Sequence, residues 1–364
     1  MTMNKNGKKM AQEDKSSLIS DKFRDWVGVE LRYNTPELLN PAFVHWELGP
    51  ELPPNWEIGE GLTKRFASVI RDPNPLWETT LPPTALASLE FVHRMVLFSA
   101  SVLRDSEIPV GTNAGEEWAA WNLNSNLPFL LNGGEGFEYF VPVREGDIIT
   151  CTGKIVAGEE HLARKGDKNV VHTIQIDYTN QRGEQTTRLL GTFISKPRMY
   201  DSSTDSQTAA VKQEATGRQL TYKVGDQLTY DDVEVGDVLP TLLQPLATRR
   251  LVHWASVSRD FSEMHYDKDF AQRLGLKGVI AHGALLSSFL GQVLTDFMGL
   301  KGVLKRFWSQ YRKPQYPGDD AICKGKIAKK YIKGDEHYVE LDVWIENPRG
   351  ELCVTGRATL VLPN

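Results

Sequence analysis

Cysteine is scarce: Cys151, Cys323 and Cys353 are all that the 364 residues hold, with no C-x-x-C pair and no second cluster to complete a zinc site. That excludes a disulfide framework or structural zinc as the organising device. The thiols read as small buried hydrophobes in a reducing, cytoplasmic compartment. No run approaches the roughly twenty apolar residues that a membrane span needs. Cations are not in excess: 42 Lys and Arg against 47 Asp and Glu give a net charge of -5, which argues against nucleic acid as the main partner. No G-x-G-x-x-G or Walker sequence follows a strand and no H-E-x-x-H occurs, so nucleotide-redox, NTPase and zinc-hydrolase chemistry lack a motif. The N-terminal residues carry lysines but no apolar block, so 1–20 are expected to be a disordered tail rather than a targeting segment. The C-terminus shows no receptor-read address or lipidation motif.

What is present is an ordinary globular composition, 40% hydrophobic and 24% charged, in a chain long enough for two cores. A Ser/Thr/Gln/Asp/Lys-rich stretch at 198–220 buries too little to fold alone and reads as a linker. It divides 21–197 from 221–364, and the two halves match. Phe66-Ala67-Ser68-Val69-Ile70-Arg71-Asp72 aligns with Trp254-Ala255-Ser256-Val257-Ser258-Arg259-Asp260. Pro142-Val143-Arg144-Glu145-Gly146-Asp147 aligns with Pro314-Gln315-Tyr316-Pro317-Gly318-Asp319, and Asn180-Gln181-Arg182-Gly183-Glu184 with Asn347-Pro348-Arg349-Gly350-Glu351. Shared anchors in the same order indicate an internal duplication.

Within the second half, 279–298 carries Ile280, Leu285, Leu286, Phe289, Leu290, Val293, Leu294 and Phe297 at three- and four-residue spacing, which predicts a largely buried helix. The β-branched runs 321–328, 337–346 and 352–362, bounded by Gly, Pro and Asp, predict strands. The economical architecture is an α+β fold used twice, one helix wrapped by an antiparallel sheet.

Asp260 and His265 are separated by four residues in Asp260-Phe261-Ser262-Glu263-Met264-His265, and Gly283 follows at the mouth of the apolar helix. An acid, a base and a backbone donor at a helix N-terminus are the groups that add water to, or remove it from, a thioester-conjugated double bond. Histidine titrates near neutral pH, and a glycine at a helix start presents an N–H without an intrahelical acceptor. Its missing side chain is expected to let a thioester oxygen approach. In the first half, Asp72-Pro73-Asn74-Pro75-Leu76-Trp77 has an indole in the histidine's place, and indole neither accepts nor delivers the needed proton.

These residues resemble the MaoC-like (R)-specific enoyl-CoA hydratases and dehydratases. That family's motif runs Asp, any residue, Asn-Pro, an aliphatic residue and His, followed by aliphatic-Ala-His-Gly. Asp260, His265 and Ile280-Ala281-His282-Gly283 match it, while Ser262-Glu263 replace Asn-Pro. Leu131-Asn132-Gly133-Gly134-Glu135, with Pro142 to Asp147, resembles the N-terminal domain of the two-domain members. The resemblance covers about 25–195 and 222–362.

It implies a double hot-dog fold with a non-catalytic first half and a catalytic second half. It further implies reversible hydration of a 2-enoyl-CoA to an (R)-3-hydroxyacyl-CoA, a step in fatty acid metabolism. His265 and Asp260 would share the water and Asp260 would shuttle a proton to C2, with Gly283 as oxyanion donor. No metal or redox cofactor is implied, coenzyme A entering only as part of the substrate. Pairing within the chain satisfies the usual dimer, though a homodimer of chains is also common in such folds.

The first half is expected to line the acyl pocket beside Trp77. Nearby Trp118, Trp121, Phe129, Phe137, Tyr139 and Phe140 are read individually as core. Arg312, Lys313 and Lys277 could form a basic rim for phosphates, although surface lysines usually only solvate. His282 is read as structural at the helix start, and His253 and His337 as packed or surface histidines. The competing readings are a thioesterase, which needs its base aimed at the carbonyl, and a non-catalytic acyl-CoA-binding scaffold, against which intact Asp260 and His265 argue.

Overall fold

A computed structural model describes residues 30–32, 56–57, 61–85, 129–162, 168–196, 216–258 and 260–364. The expected N-terminal tail, most of the linker, Trp118, Trp121 and the side chains of Phe129 and Cys151 lie outside these residues. So does the segment where a central helix of the first half was expected.

The first half contains β1 (Glu30–Arg32), β2 (Trp56–Glu57), α1 (Leu62–Ile70), β3 (Phe129–Tyr139), β4 (Ile148–Leu162), β5 (Lys168–Thr179) and β6 (Gln185–Lys196). The second half contains β7 (Leu242–Pro245), α2 (Thr248–Ser258), α3 (Lys268–Arg273) and α4 (Gly283–Met298), then β8 (Val303–Tyr311), β9 (Asp320–Lys333), β10 (Glu336–Glu346) and β11 (Leu352–Leu362). Residues alternate inward and outward along the strands, as in β11 and β6, so each strand has one face toward a core. The short β8, absent from the sequence-based expectation, is the innermost strand of its half. Leu220, expected in the linker, is already buried, its N–H donating to Val238 O at 2.9 Å, so ordered packing begins before 221.

Among the described residues the strands form one antiparallel sheet of eleven, ordered β1-β4-β5-β6-β3-β8-β11-β10-β9-β7, with β2 paired to β4. Outward from the β3–β8 seam the two halves read as copies. The alignment of Pro142 with Pro314 carries Gly136 onto Trp308, and those two residues face each other across the seam. A pseudo-twofold axis therefore passes through that pair. Phe66 and Trp254, equivalent by the first anchor, meet edge-on at 5.0 Å with both rings fully buried.

Local chemistry repeats as well. Asn180 Oδ1 accepts from the N–H of Arg182 and Glu184, just as Asn347 Oδ1 accepts from Arg349 and Glu351. Gly183 and Gly350 take the left-handed turn position at φ 77° and 73°. Arg182 then reaches Asp147 at 2.8 Å and Arg349 reaches Asp319 at 2.9 Å, so the second and third anchors of the repeat bind each other in each half.

Helix α4 is apolar almost all round and correspondingly buried from Ala284 to Thr295, lying against β8, β9, β10 and β11. It starts at Gly283, four residues later than the apolar periodicity suggests. The reason is that Ile280 N–H donates to Met264 O at 3.1 Å and Ala281 N–H to Gln315 O at 2.8 Å, which holds that segment extended up to His282 (φ −61°, ψ 136°). Its buried polar groups reach the first half: Ser288 Oγ is 2.9 Å from Thr84 Oγ1, Gln292 Nε2 donates to Arg71 O at 3.4 Å, and Gln292 Oε1 accepts from Gln244 of β7, whose amide also donates to Ile70 O. Cys323 and Cys353 are buried, unpaired and deprived of solvent, which pushes the Cys353 thiol up to about 12, as expected for inert packing thiols. No helix among the described residues is long and apolar enough to cross a membrane.

Trp254→Ala would empty a fully enclosed site where the two halves touch, and is expected to destabilise the whole chain by about 3–5 kcal/mol. Denaturant unfolding followed by tryptophan-independent circular dichroism would show this as one lowered midpoint. A loss under about 1 kcal/mol would mean that the interface relaxes to close the gap.

Candidate active site

The Asp260 loop keeps its shape despite the changed motif. Asp260 Oδ1 accepts from Ser262 N–H at 3.3 Å, as Asp72 Oδ1 accepts from Asn74 N–H at 3.0 Å. Ser262 has φ −59°, ψ 125° and Asn74 φ −62°, ψ 124°, and a 3-10 turn follows each. The aspartate, rather than the Asn-Pro pair, thus sets the turn, and His265 is delivered in the position of Trp77.

His265 Nδ1 lies 2.8 Å from Ile280 O. A carbonyl can only accept, so Nδ1 carries the hydrogen and Nε2 presents a lone pair. That Nε2 is 3.9 Å from Asp260 Oδ2, with both side chains buried. Burial disfavours the imidazolium and lowers His265 to about 4, the Ile280 carbonyl offsetting part of the shift. His282 stacks on His265 at 3.7 Å and donates from Nε2 to the main-chain O of Asp260 at 3.1 Å, tying the loop to the start of α4, as a structural reading requires. The same Asp260, His265 and His282 offer ligand atoms within 4.8 Å of one another, so a divalent cation is a competing occupant and a chelator control belongs in any assay.

Gly283 is the first residue of α4, where a helix N-terminus carries unsatisfied donors and partial positive charge. A further reason for glycine lies in the packing. A Cβ there would come within 2.6 Å of Tyr311 Cε2 and 2.7 Å of Cζ, so the absent side chain makes room for that ring. Asp260, His265, Gly283 and Tyr311 share a cavity of about 320 Å³ with Asn132, Gly133 and Phe193 of the first half.

The first half therefore does wall this cavity, but not through Trp77. Trp77 Nε1–H donates to Asp72 Oδ2 at 2.7 Å and faces a separate cavity of about 300 Å³ bounded by Tyr139, Phe140, Pro142 and Met298. Equivalent strand positions line both cavities, Tyr139 in one and Tyr311 in the other, so Trp77 marks the symmetry-related place and not the acyl wall proposed for it. Phe137 is core, stacked on Phe307, and Phe140 is half exposed. Arg312 and Lys313 line the Asp260–His265 cavity, Lys313 paired with Glu351 at 2.9 Å, whereas Lys277 faces a different open cleft with Lys268 and Arg349. His253 is exposed, and the His337 ring lies tilted at 45° beside Tyr230 with centroids 4.8 Å apart. Tyr311 was missed from sequence, although it sits at the same distance before Pro314 as Tyr139 before Pro142.

A family described as MaoC like domain matches 213–346, and one described as FAS1-like, dehydratase domain region matches 106–188. Residues 213–346 are thus similar to MaoC-like domains, and 106–188 to a dehydratase region. A 3-hydroxyacyl-[acyl-carrier-protein] dehydratase, mitochondrial, of Arabidopsis thaliana is 29% identical over 36% of this chain and 79% of its own length. An (R)-specific enoyl-CoA hydratase of Aeromonas caviae is 29% identical over 30% of this chain and 81% of its own. A solved structure described as a MaoC-like dehydratase, 19% identical, covers 88% of this chain and 99% of that one with a TM-score of 0.61. A Mycobacterium tuberculosis protein described as having a double hotdog fold, 10% identical, covers 92% and 96% with a TM-score of 0.53. The fold is accordingly a double hot-dog, and the curated relatives it resembles are hydro-lyases by name.

His265 and His172, both lowered to about 4 by burial, are neutral in the folded protein at pH values where the unfolded chain has begun to protonate them. Their contribution to stability is full above about 6.5 and drains as pH falls toward 4. Asp296, raised to about 7 by burial and by Asp72, acts in the opposite direction, so the clean test is a difference. Wild type should lose unfolding free energy relative to His265→Gln as pH drops from 6.5 to 4; a constant difference over that interval would refute a neutral buried imidazole.

Proposed function

We propose that this chain catalyses the reversible hydration of a 2-enoyl thioester to its (R)-3-hydroxy counterpart, coenzyme A being the expected carrier, through Asp260, His265 and the Gly283 amide. The observation that carries this is the His265 lone pair set 3.9 Å from a carboxylate oxygen in one cavity that also holds the helix start. That spacing is too long for a direct bond and suits two acceptors sharing one water molecule.

In this scheme the water gives one hydrogen bond to His265 Nε2 and one to Asp260 Oδ2. Its oxygen bonds to C3, the electron pair of the double bond moves onto the thioester oxygen, and the Gly283 N–H stabilises the resulting enolate. The proton on the Asp260 side passes to that carboxylate and on to C2, while the other hydrogen stays on the new hydroxyl, held by His265. A lowered imidazole pKa suits this division, because His265 orients the water without keeping its proton. In the first half, the indole of Trp77 occupies the equivalent acceptor place and bonds Asp72 itself, which supports a supporting role for that half.

Incubation with trans-2-enoyl-CoA thioesters of several chain lengths, with and without EDTA, should remove the conjugated absorbance and yield the (R)-3-hydroxy product on chiral analysis. Asp260→Asn and His265→Gln are each expected to lower kcat by about 10²- to 10⁴-fold. Release of free CoA without hydration would select a thioesterase, and tight but inert binding a scaffold. Sensitivity of the wild type to EDTA would overturn the metal-free scheme.

A further inference from the structure

We infer that Glu135, a residue of the first half, is a positioning residue for the catalytic helix start, holding Tyr311 against Gly283; this rests on the hydratase reading above. Glu135 lies in β3 directly opposite Ser309 of β8 and is 1% exposed. Its Oε2 accepts from Tyr311 Oη at 3.0 Å and its Oε1 from Asn132 Nδ2 at 3.2 Å. With the carboxylate as acceptor, Tyr311 has spent its one hydrogen. Ser287 Oγ, 2.7 Å from Tyr311 Oη, must then donate to it, and Ser309 Oγ, 2.7 Å from Ser287 Oγ, must donate in turn. The chain Ser309, Ser287, Tyr311, Glu135 therefore runs in one direction. Ser287 is one helical turn beyond Gly283, so the tip of the Tyr311 ring is anchored to α4 while its face lies on the glycine.

The sheet itself does not demand a carboxylate here. By the duplication, the position equivalent to Glu135 is Phe307, an apolar residue stacked on Phe137 in the same seam. The equivalent of Tyr311 is Tyr139, whose buried hydroxyl has no hydrogen-bond partner among the described residues. The relay exists only on the side that has Asp260 and His265. Burying a carboxylate costs several kcal/mol unless hydrogen bonds offset it, so its presence on that side alone is explained by what it holds in place. If the ring drifts, Gly283 and the dyad lose their mutual register, and misplacement of about 1 Å can cost up to about 10²-fold in turnover.

The test compares Tyr311→Phe, Glu135→Leu and Glu135→Gln with wild type in two readouts. The first is steady-state hydration of an enoyl-CoA. The second, independent of turnover, is the red shift in absorbance of cinnamoyl-CoA on binding, which reports polarisation of the thioester carbonyl. We expect kcat to fall about tenfold in Tyr311→Phe and Glu135→Leu with KM within about twofold, and the red shift to shrink in both. Glu135→Gln, which keeps an acceptor oxygen for the tyrosine, should recover most of each signal.

Unchanged kcat and red shift in Tyr311→Phe would overturn the inference, as would a rise in KM alone, which belongs to a cavity wall. Should Glu135→Leu fail to fold, Tyr311→Phe, which retains the ring, decides. A wild type that binds and red-shifts the thioester without hydrating it refutes the hydratase reading yet leaves the positioning test in force. A wild type that does neither removes both.

Discussion

Each half of this chain builds a sheet whose innermost strand would, on its own, present a row of unpaired N–H and C=O groups. Pairing β3 with β8 removes both edges at once, and the remaining geometry follows from that ladder. On the helical side it brings α1 against α2, Phe66 against Trp254. The carbonyls at the C-terminal end of α1, which a helix cannot satisfy itself, are met by the second half: Arg250 Nε donates to Val69 O at 2.9 Å and Gln244 Nε2 to Ile70 O at 3.0 Å. Arg250 is itself buried, its guanidinium lying 4.6 Å over the Phe289 ring of α4 and lowered by desolvation to about 10. Hydrophobic burial joins the halves; these donors fix how they meet.

The Asp260–His265 cavity is a product of the same ladder. Its acid, base and helix start come from 260–283, while Asn132, Gly133 and Phe193 reach it because β3 and β6 are the strands next to the seam. Burial does two things there at once. It strips solvent from His265, which keeps the imidazole neutral, and it makes the hydrogen bond from Nδ1 to Ile280 O decisive for which nitrogen is left to accept. A main-chain carbonyl thus sets the tautomer, a task that needs no particular side chain at position 280.

That division explains what could be read from the sequence and what could not. The duplication was legible because its anchors are turns and helix ends, where Asn180, Gly183, Asn347 and Gly350 do local work that only a few residue types can do. Asp260 and His265 were legible for the same reason, as neighbours in the chain. The Trp77 assignment failed because the alignment identifies equivalent places without saying which cavity each one opens on. Tyr311 and Glu135 were not singled out because their meaning depends on a contact between strands far apart in sequence. Helix α4 starts at Gly283, where the sequence placed the helix mouth, although apolar periodicity continues back through Ile280 and Ala281, which bonds to Met264 and Gln315 hold extended.

The unlike partners Asp72–Trp77 and Asp260–His265 have one more implication. In a dimer of identical chains, any change in the acid-base loop strikes both copies together, so an indole can never replace one imidazole and spare the other. Tandem fusion of two copies lifts that restriction. One loop can then lock its aspartate with a tryptophan while the other keeps its imidazole.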